Sequence, residues 1–180
     1  MNYIIDINFV INCNYKIMNI LILGINGEIG ESLFRSVYNK NDFFILTYNK
    51  KKPSIKYNNI LLKKINFNIV KNSNSEIKNL LKKFKTIDVV INNIGDSNPF
   101  KDVFALKINE LNKSLRINFS SIYFSILSII KSQIKKGFSL KIIHISTNTI
   151  KYYGSNKNLP YLISKSALET ALLNLSKLFS

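Results

Sequence analysis

Asn19-Ile-Leu-Ile-Leu23-Gly24-Ile-Asn-Gly27-Glu-Ile-Gly30 is the stretch that decides how the rest of the chain is read. The apolar run 19–23 has the length and the branched side chains of a buried strand. Three glycines at intervals of three follow it, and a helix is expected over 28–39. Glycine between a strand and a helix permits a tight turn and a close backbone approach, while the helix start offers free N–H groups and a positive dipole end to an anion such as a pyrophosphate. Gly24, Asn26, Gly27 and Gly30 are therefore candidate dinucleotide contacts. The spacing is not G-x-G-x-x-G, so an ordinary strand-to-helix turn remains the competing reading.

Outward from this turn, apolar runs of strand length alternate with helical patterns. Strands are expected at 19–23, 43–48, 60–65, 87–92 and 141–147, and helices at 28–39, 75–85, 105–136 (interrupted near its start) and 160–178. Ile77, Leu80, Leu81 and Phe84 form one apolar stripe at helical spacing. Polar breaks fall at 49–52 and 72–76. Alternation of this kind predicts an α/β protein with a parallel sheet covered on both faces, and right-handed crossovers give the doubly wound order 3-2-1-4-5. Residues 18–180 read as one Rossmann-like NAD(P)-binding domain. Residues 1–17 form an extension without a clear period, either a peripheral strand or the product of an upstream start codon.

The chain has 180 residues, 46% of them hydrophobic, enough for a real core and too apolar for a disordered chain. Its 26 Lys+Arg against 10 Asp+Glu give a net charge of +16. Only Arg35 and Arg116 are arginines, the better bidentate readers of phosphate and guanine, so scattered lysine does not argue for a nucleic-acid partner. The apolar run 119–130 is shorter than the roughly 20 residues a bilayer requires, and the first residues lack a secretory pattern. Cys13 is the lone cysteine, which excludes a disulfide scaffold and fits a reducing cytoplasm.

The second strand ends Thr47-Tyr-Asn49-Lys50-Lys-Lys52, where an NAD-binding fold usually offers a carboxylate to the ribose. Asn49 and Lys50 are thus candidate contacts to a 2'-phosphate, which favours NADP(H) over NAD(H). Tyr161-Leu-Ile-Ser-Lys165 opens the last helix and puts a phenol and an ammonium on one face. A cation beside a tyrosine can lower its pKa by about 1 to 3 units. Asn118 falls within the apolar stripe Leu111, Leu115, Ile122, Ile126 and Ile129, where a carboxamide must find partners, such as a water or a backbone carbonyl next to a site. His144, between Ile143 and Ile145, reads as a core histidine, and with one His and one Cys no metal cluster or Ser-His-Asp set is expected.

Together these residues resemble the short-chain dehydrogenases/reductases. The resemblance runs from Met18 to Ser180, through Gly24 to Gly30, Ile87-Asp-Val-Val-Ile-Asn-Asn-Ile-Gly95, Ile117-Asn118-Phe119, Ile142-Ile-His-Ile-Ser-Thr147 and Tyr161-Leu-Ile-Ser-Lys-Ser-Ala-Leu168. It implies that Tyr161 gives a proton to a substrate carbonyl and that Lys165 lowers the tyrosine pKa and holds the nicotinamide ribose. It further implies that Asn118 positions a relay water and that Ser146 or Thr147 polarises the carbonyl. Asn93 and Gly95 would border the cofactor, Ile29 would meet the pyrophosphate through its backbone, and Asn68 would stand near the adenine. The implied activity is NADP(H)-dependent interconversion of a carbonyl and a secondary alcohol on a small metabolite or acyl thioester, by a homodimer or homotetramer.

The departures point to alternatives. Thr147 stands where serine is usual, one residue further from Tyr161 than is common. The glycine spacing looks like the branch acting on nucleotide sugars, whereas Ser164-Lys-Ser-Ala-Leu168 looks like the single-domain reductases. Ile94 replaces a small residue and is expected to be bulky against the cofactor. The chain stops fifteen residues after Lys165, where family members continue through two more strands. Strand 141–147 is then expected to be an exposed edge, either because the chain is a fragment or because a partner covers it. Alternative functions are a catalytically incomplete dinucleotide-binding module and a nucleotide-sugar epimerase or dehydratase.

Overall fold

In the computed structural model, residues 4–8, 17–97, 103–150 and 158–179 are described; Cys13 and most of the extension lie outside them. Six strands, β1 (Ile4–Asn8), β2 (Asn19–Leu23), β3 (Phe43–Tyr48), β4 (Ile60–Lys64), β5 (Val89–Asn92) and β6 (Lys141–Ile145), form one sheet in the order β1-β6-β5-β2-β3-β4. The five strands from β2 to β6 are parallel and stand in the doubly wound order. Around them lie α1 (Glu28–Val37), α2 (Val70–Lys83), α3 (Ile108–Leu115), α4 (Ser121–Lys136) and α5 (Leu159–Phe179).

Alternation along the strands builds a core on each face. Leu21, Leu23, Ile45, Val90 and Ile142 pack with Ile77 and Leu80 of α2, Ile122 and Ile126 of α4, and Leu168 and Leu172 of α5. Ile20, Ile22, Phe44, Leu46 and Ile91 pack on the other face with Phe34 of α1. Complete burial of a side chain of this size stabilises by about 1.5–3 kcal/mol, so β2, buried on both faces, anchors the sheet and the turn that follows it.

Three expectations need correction. First, α2 begins at Val70, so the polar break at 72–76 lies inside a helix. Ser73 is fully buried there and its hydroxyl donates back to the Val70 carbonyl, which satisfies it without leaving the helix. Second, the long helix starts at Ile108, where Glu110 accepts the Lys107 N–H at 2.9 Å, and it is interrupted at Arg116–Ser120 by a π-helical turn. The Ser121 N–H reaches the Arg116 carbonyl five residues back, and this wide turn carries Asn118. Third, β6 is not an open edge: β1 pairs with it antiparallel, Ile5 opposite His144 and Ile7 opposite Ile142. Among the described residues no helix is long and apolar enough to cross a membrane.

Candidate active site

The glycine turn is held between its two neighbouring strands. Gly24 has φ +84°, a left-handed conformation that favours glycine. Its N–H donates to the hydroxyl of fully buried Thr47 at the end of β3, at 2.9 Å. Its carbonyl accepts from Asn93 Nδ2 just beyond β5, also at 2.9 Å. Asn26 Nδ2 donates to the Lys51 carbonyl, which ties the turn to the lysine-rich loop after β3. A Cβ on Gly30 would run into the Ile25 and Gly24 carbonyls, so glycine there lets α1 pack onto the turn.

The group this arrangement implies is a nicotinamide dinucleotide, and the residues present fit one. Gly27 is the N-cap of α1, no side chain caps the helix, and nothing lies within 4 Å of where a Gly27 Cβ would be. The first amides of α1, those of Glu28, Ile29 and Gly30, have no intrahelical acceptor, and the space beside Gly27 is open, as an anion requires. Lys50, Lys51 and Lys52 are exposed and Asn49 is half-buried. None of these lysines forms an ion pair among the described residues. Asn68 lies in the loop after β4, its N–H held by Asn66 Oδ1 at 3.0 Å.

Beyond β5 the backbone enters the second half of the site. Ile94, expected to be bulky against the cofactor, is only 9% exposed and packs into the core, where its Cγ1 would stand 2.9 Å from a Cβ on Gly24. Bare Gly24 makes room for it. At Gly95 a Cβ would lie 3.3 Å from Tyr161 Oη and 3.5 Å from Lys165 Nζ. The phenol and the ammonium of α5 are thus brought together at one point of the β5 loop, with Lys165 Nζ 5.8 Å from the centre of the Tyr161 ring.

Their electrostatics differ from the expectation. Burial raises the Tyr161 pKa above its ordinary 10.0, with no lowering by Lys165. Lys165 Nζ donates to the Ile94 carbonyl at 2.9 Å and to the Ile145 carbonyl at 3.0 Å, and it gives up its own proton before the phenol would ionise. Burial in turn brings Lys165 down to about 8. At neutral pH the phenol is protonated and is a proton donor.

Asn118 is fully buried, and its carboxamide is saturated. Oδ1 accepts the Asp96 N–H at 2.7 Å, while Nδ2 donates one N–H to the Asp96 carbonyl at 3.0 Å and shares the other between the hydroxyls of Ser114 and Ser164, each at 3.1 Å. Ser164 in turn donates to the Tyr161 carbonyl at 2.8 Å. The π-helical turn thereby clamps the β5 loop to α5. Of the two candidate hydroxyls after β6, Ser146 donates to Glu169 Oε2 at 2.9 Å, and Thr147 Oγ1 lies 2.9 Å from Thr149 Oγ1.

Sequence reasoning missed Thr47, Ser114, Ser164 and Glu169. Thr47 alone carried a signal, a hydroxyl at the end of an otherwise apolar strand.

Comparisons with known proteins agree with this architecture. A family model described as enoyl-(acyl carrier protein) reductase matches residues 68–178. No curated protein matches the chain. Among solved structures, a short chain dehydrogenase family protein from Francisella tularensis is 21% identical with a TM-score of 0.67, over 90% of this chain and 65% of its own. ElxO with NADP bound is 21% identical with a TM-score of 0.72, over 90% and 69%. A short chain dehydrogenase from Leptospira borgpetersenii with bound NAD+ is 18% identical with a TM-score of 0.78, over 93% and 69%. The chain thus spans about two thirds of the length of these structures, and at such identities they show the fold alone. With the family model covering more than half of its residues, the chain belongs to the short-chain dehydrogenase/reductase family.

Proposed function

We propose that this protein binds NADP(H) and interconverts a carbonyl and a secondary alcohol on a small metabolite or acyl thioester. The observation that carries the reading is the convergence of Tyr161 Oη and Lys165 Nζ on Gly95, two residues beyond the Asn93 that holds the glycine turn. Gly24, Asn26, Gly27, Ile29 and Gly30 would hold the pyrophosphate side. Asn68 would stand near the adenine, and Asn93, Gly95, Tyr161 and Lys165 would border the nicotinamide side. The bound dinucleotide supplies the hydride chemistry. Tyr161, protonated at neutral pH, gives its proton to the substrate oxygen as the carbonyl is reduced, a contribution of about 10² to 10⁴ in rate. Thr147 is the hydroxyl for polarising that oxygen, because Ser146 is committed to Glu169. Asn118 acts by holding the Asp96 backbone beside the site.

Three exposed lysines at the end of β3, with no carboxylate among them, support NADP(H) over NAD(H). ElxO has been solved with NADP and the Leptospira protein with NAD+, so relatives of this fold use both. Phe124 on α4 and Leu173 on α5 are large and more than 40% exposed, which supports a homo-oligomer built on these helices. The experiment is turnover of a panel of ketones, 3-ketoacyl thioesters and enoyl thioesters with NADPH and NADH. Tyr161→Phe should abolish reduction while leaving NADPH affinity nearly unchanged, and retained turnover would refute the role. A dinucleotide-binding module without catalysis is the second reading, favoured by the coverage of only about two thirds of solved relatives. It predicts NADPH binding with no reduction across the panel.

A further inference from the structure

The mechanism leaves His144 unused, although it is fully buried one residue before a carbonyl that anchors Lys165. It stands in register with Asn92 across the parallel pair β5 and β6, and the two side chains meet at 2.9 Å between Asn92 Nδ2 and His144 Nδ1. The direction of that bond follows from its neighbour. The Ile94 N–H can only donate, and it donates to Asn92 Oδ1 at 3.2 Å, so the amide group of Asn92 must face the ring. His144 Nδ1 is therefore an unprotonated acceptor, and the ring proton sits on Nε2, which has no partner among the described residues.

This one carboxamide controls both ends of the lysine anchor. Through Oδ1 it holds Ile94, whose carbonyl receives Lys165 Nζ. Through Nδ2 it holds His144, the residue before Ile145, whose carbonyl receives the same nitrogen. We propose that His144 is a positioning residue: its pairing with Asn92 fixes the spacing between the Ile94 and Ile145 carbonyls and so holds the Lys165 ammonium beside Tyr161. The importance of that placement rests on the functional reading above. Among the described residues, the titratable groups around Lys165 are His144 on β6 and, on its own helix, Tyr161 one turn before and Glu169 one turn after, the last bound by Ser146. Burial and the Lys165 charge keep His144 neutral, with a pKa of about 3.

Two measurements on the cofactor-free full chain test this. His144 is the only histidine, so nitrogen NMR of the imidazole needs no assignment. The expected spectrum is a neutral ring with the proton on Nε2 from pH 8 down to 5; a proton on Nδ1 or a charged ring in that range overturns the proposal. The second is the pH titration of the Lys165 side chain by carbon NMR, assigned by its loss in Lys165→Met. His144→Leu should raise its midpoint by about one unit or more, as the ammonium slips from its carbonyls toward water. His144→Asn, which restores an acceptor at the Nδ1 position, should return it to the wild-type value. Simple loss of packing would lower the melting temperature and leave the midpoint in place or lower it, because leucine solvates a charge less than imidazole does. An unchanged midpoint in folded His144→Leu therefore overturns the proposal. His144→Phe, which likewise has no acceptor at the Nδ1 position and leaves the Asn92 bond to Ile94 in place, gives the same reading should His144→Leu fail to fold. Neither measurement uses cofactor or substrate, so a protein found to bind no nicotinamide would refute the functional reading while these results still decide the role of His144.

Discussion

The hydroxyl of Thr47 accepts the N–H of Gly24 at 2.9 Å, so the last turn of one strand fixes the first residue of the loop that leaves its neighbour. Thr47 is fully buried, and Thr47→Val keeps its shape while leaving the Gly24 donor without a partner. A loss of about 1–3 kcal/mol in chemical denaturation is expected, together with weaker NADPH binding in a fluorescence titration. Thr47→Ser should keep most of both.

Gly95→Ala places a methyl group 3.3 Å from Tyr161 Oη, tight enough to press the phenol aside by a few tenths of an ångström, and 3.4 Å from Lys165 Cε, close to ordinary contact. The expected result is a fall in turnover of roughly tenfold or more with little loss of stability, since displacing a reacting group by an ångström can cost about 10² in rate. Equal turnover in the variant would detach Gly95 from the proposed chemistry.

His144 ties stability to acidity. Its folded pKa of about 3 lies below the ordinary 6.5, so the unfolded chain binds the proton first as the pH falls. Stability from this group is complete above about pH 6.5 and is lost below it, at up to about 1.4 kcal/mol per pH unit. Denaturation measured at pH 7, 6 and 5 should show that slope, and His144→Asn should remove it.

Lys165 acts in the alkaline range with the same sign, stability again rising with pH. Its folded pKa of about 8 lies below its usual 10.5, so burying the charged form costs stability at neutral pH and that cost fades as the pH rises from about 8 to 10.5. Lys165→Met should be more stable than wild type at pH 7, with the advantage shrinking by pH 10 as read from urea midpoints. It should also lose carbonyl reduction under the proposed mechanism.

Deletion of residues 1–17 would uncover β6. A strand edge of unpaired N–H and C=O groups recruits other chains, and sedimentation should show concentration-dependent association of the shortened protein. A monodisperse shortened protein would mean that β6 tolerates exposure.

Much of the fold was legible because the strands are apolar runs between glycine, proline and polar breaks. Residues 19–23 and 43–48 are strands over the whole expected ranges, and the order of the parallel strands follows from alternation and crossover handedness. What was not legible depended on distant partners. Asn72 to Glu76 looks like a loop until Ser73 is seen bonded within its helix and Asn74 receives the Ser128 hydroxyl. The strand at 4–8 has no pattern of its own strong enough to declare it, and β6 defines it. At the site, spacing along one helix brought Tyr161 and Lys165 to the same face. It could not reveal that two backbone carbonyls, one from the loop after β5 and one from the end of β6, would turn the ammonium toward themselves.

The antiparallel course of β1 joins the front of the described chain to its rear, because α5 packs beside it while it pairs with β6. Loosening of either segment therefore frees the same border of the sheet, and an affinity handle or fluorescent fusion at one extremity would be felt by the element nearest the other.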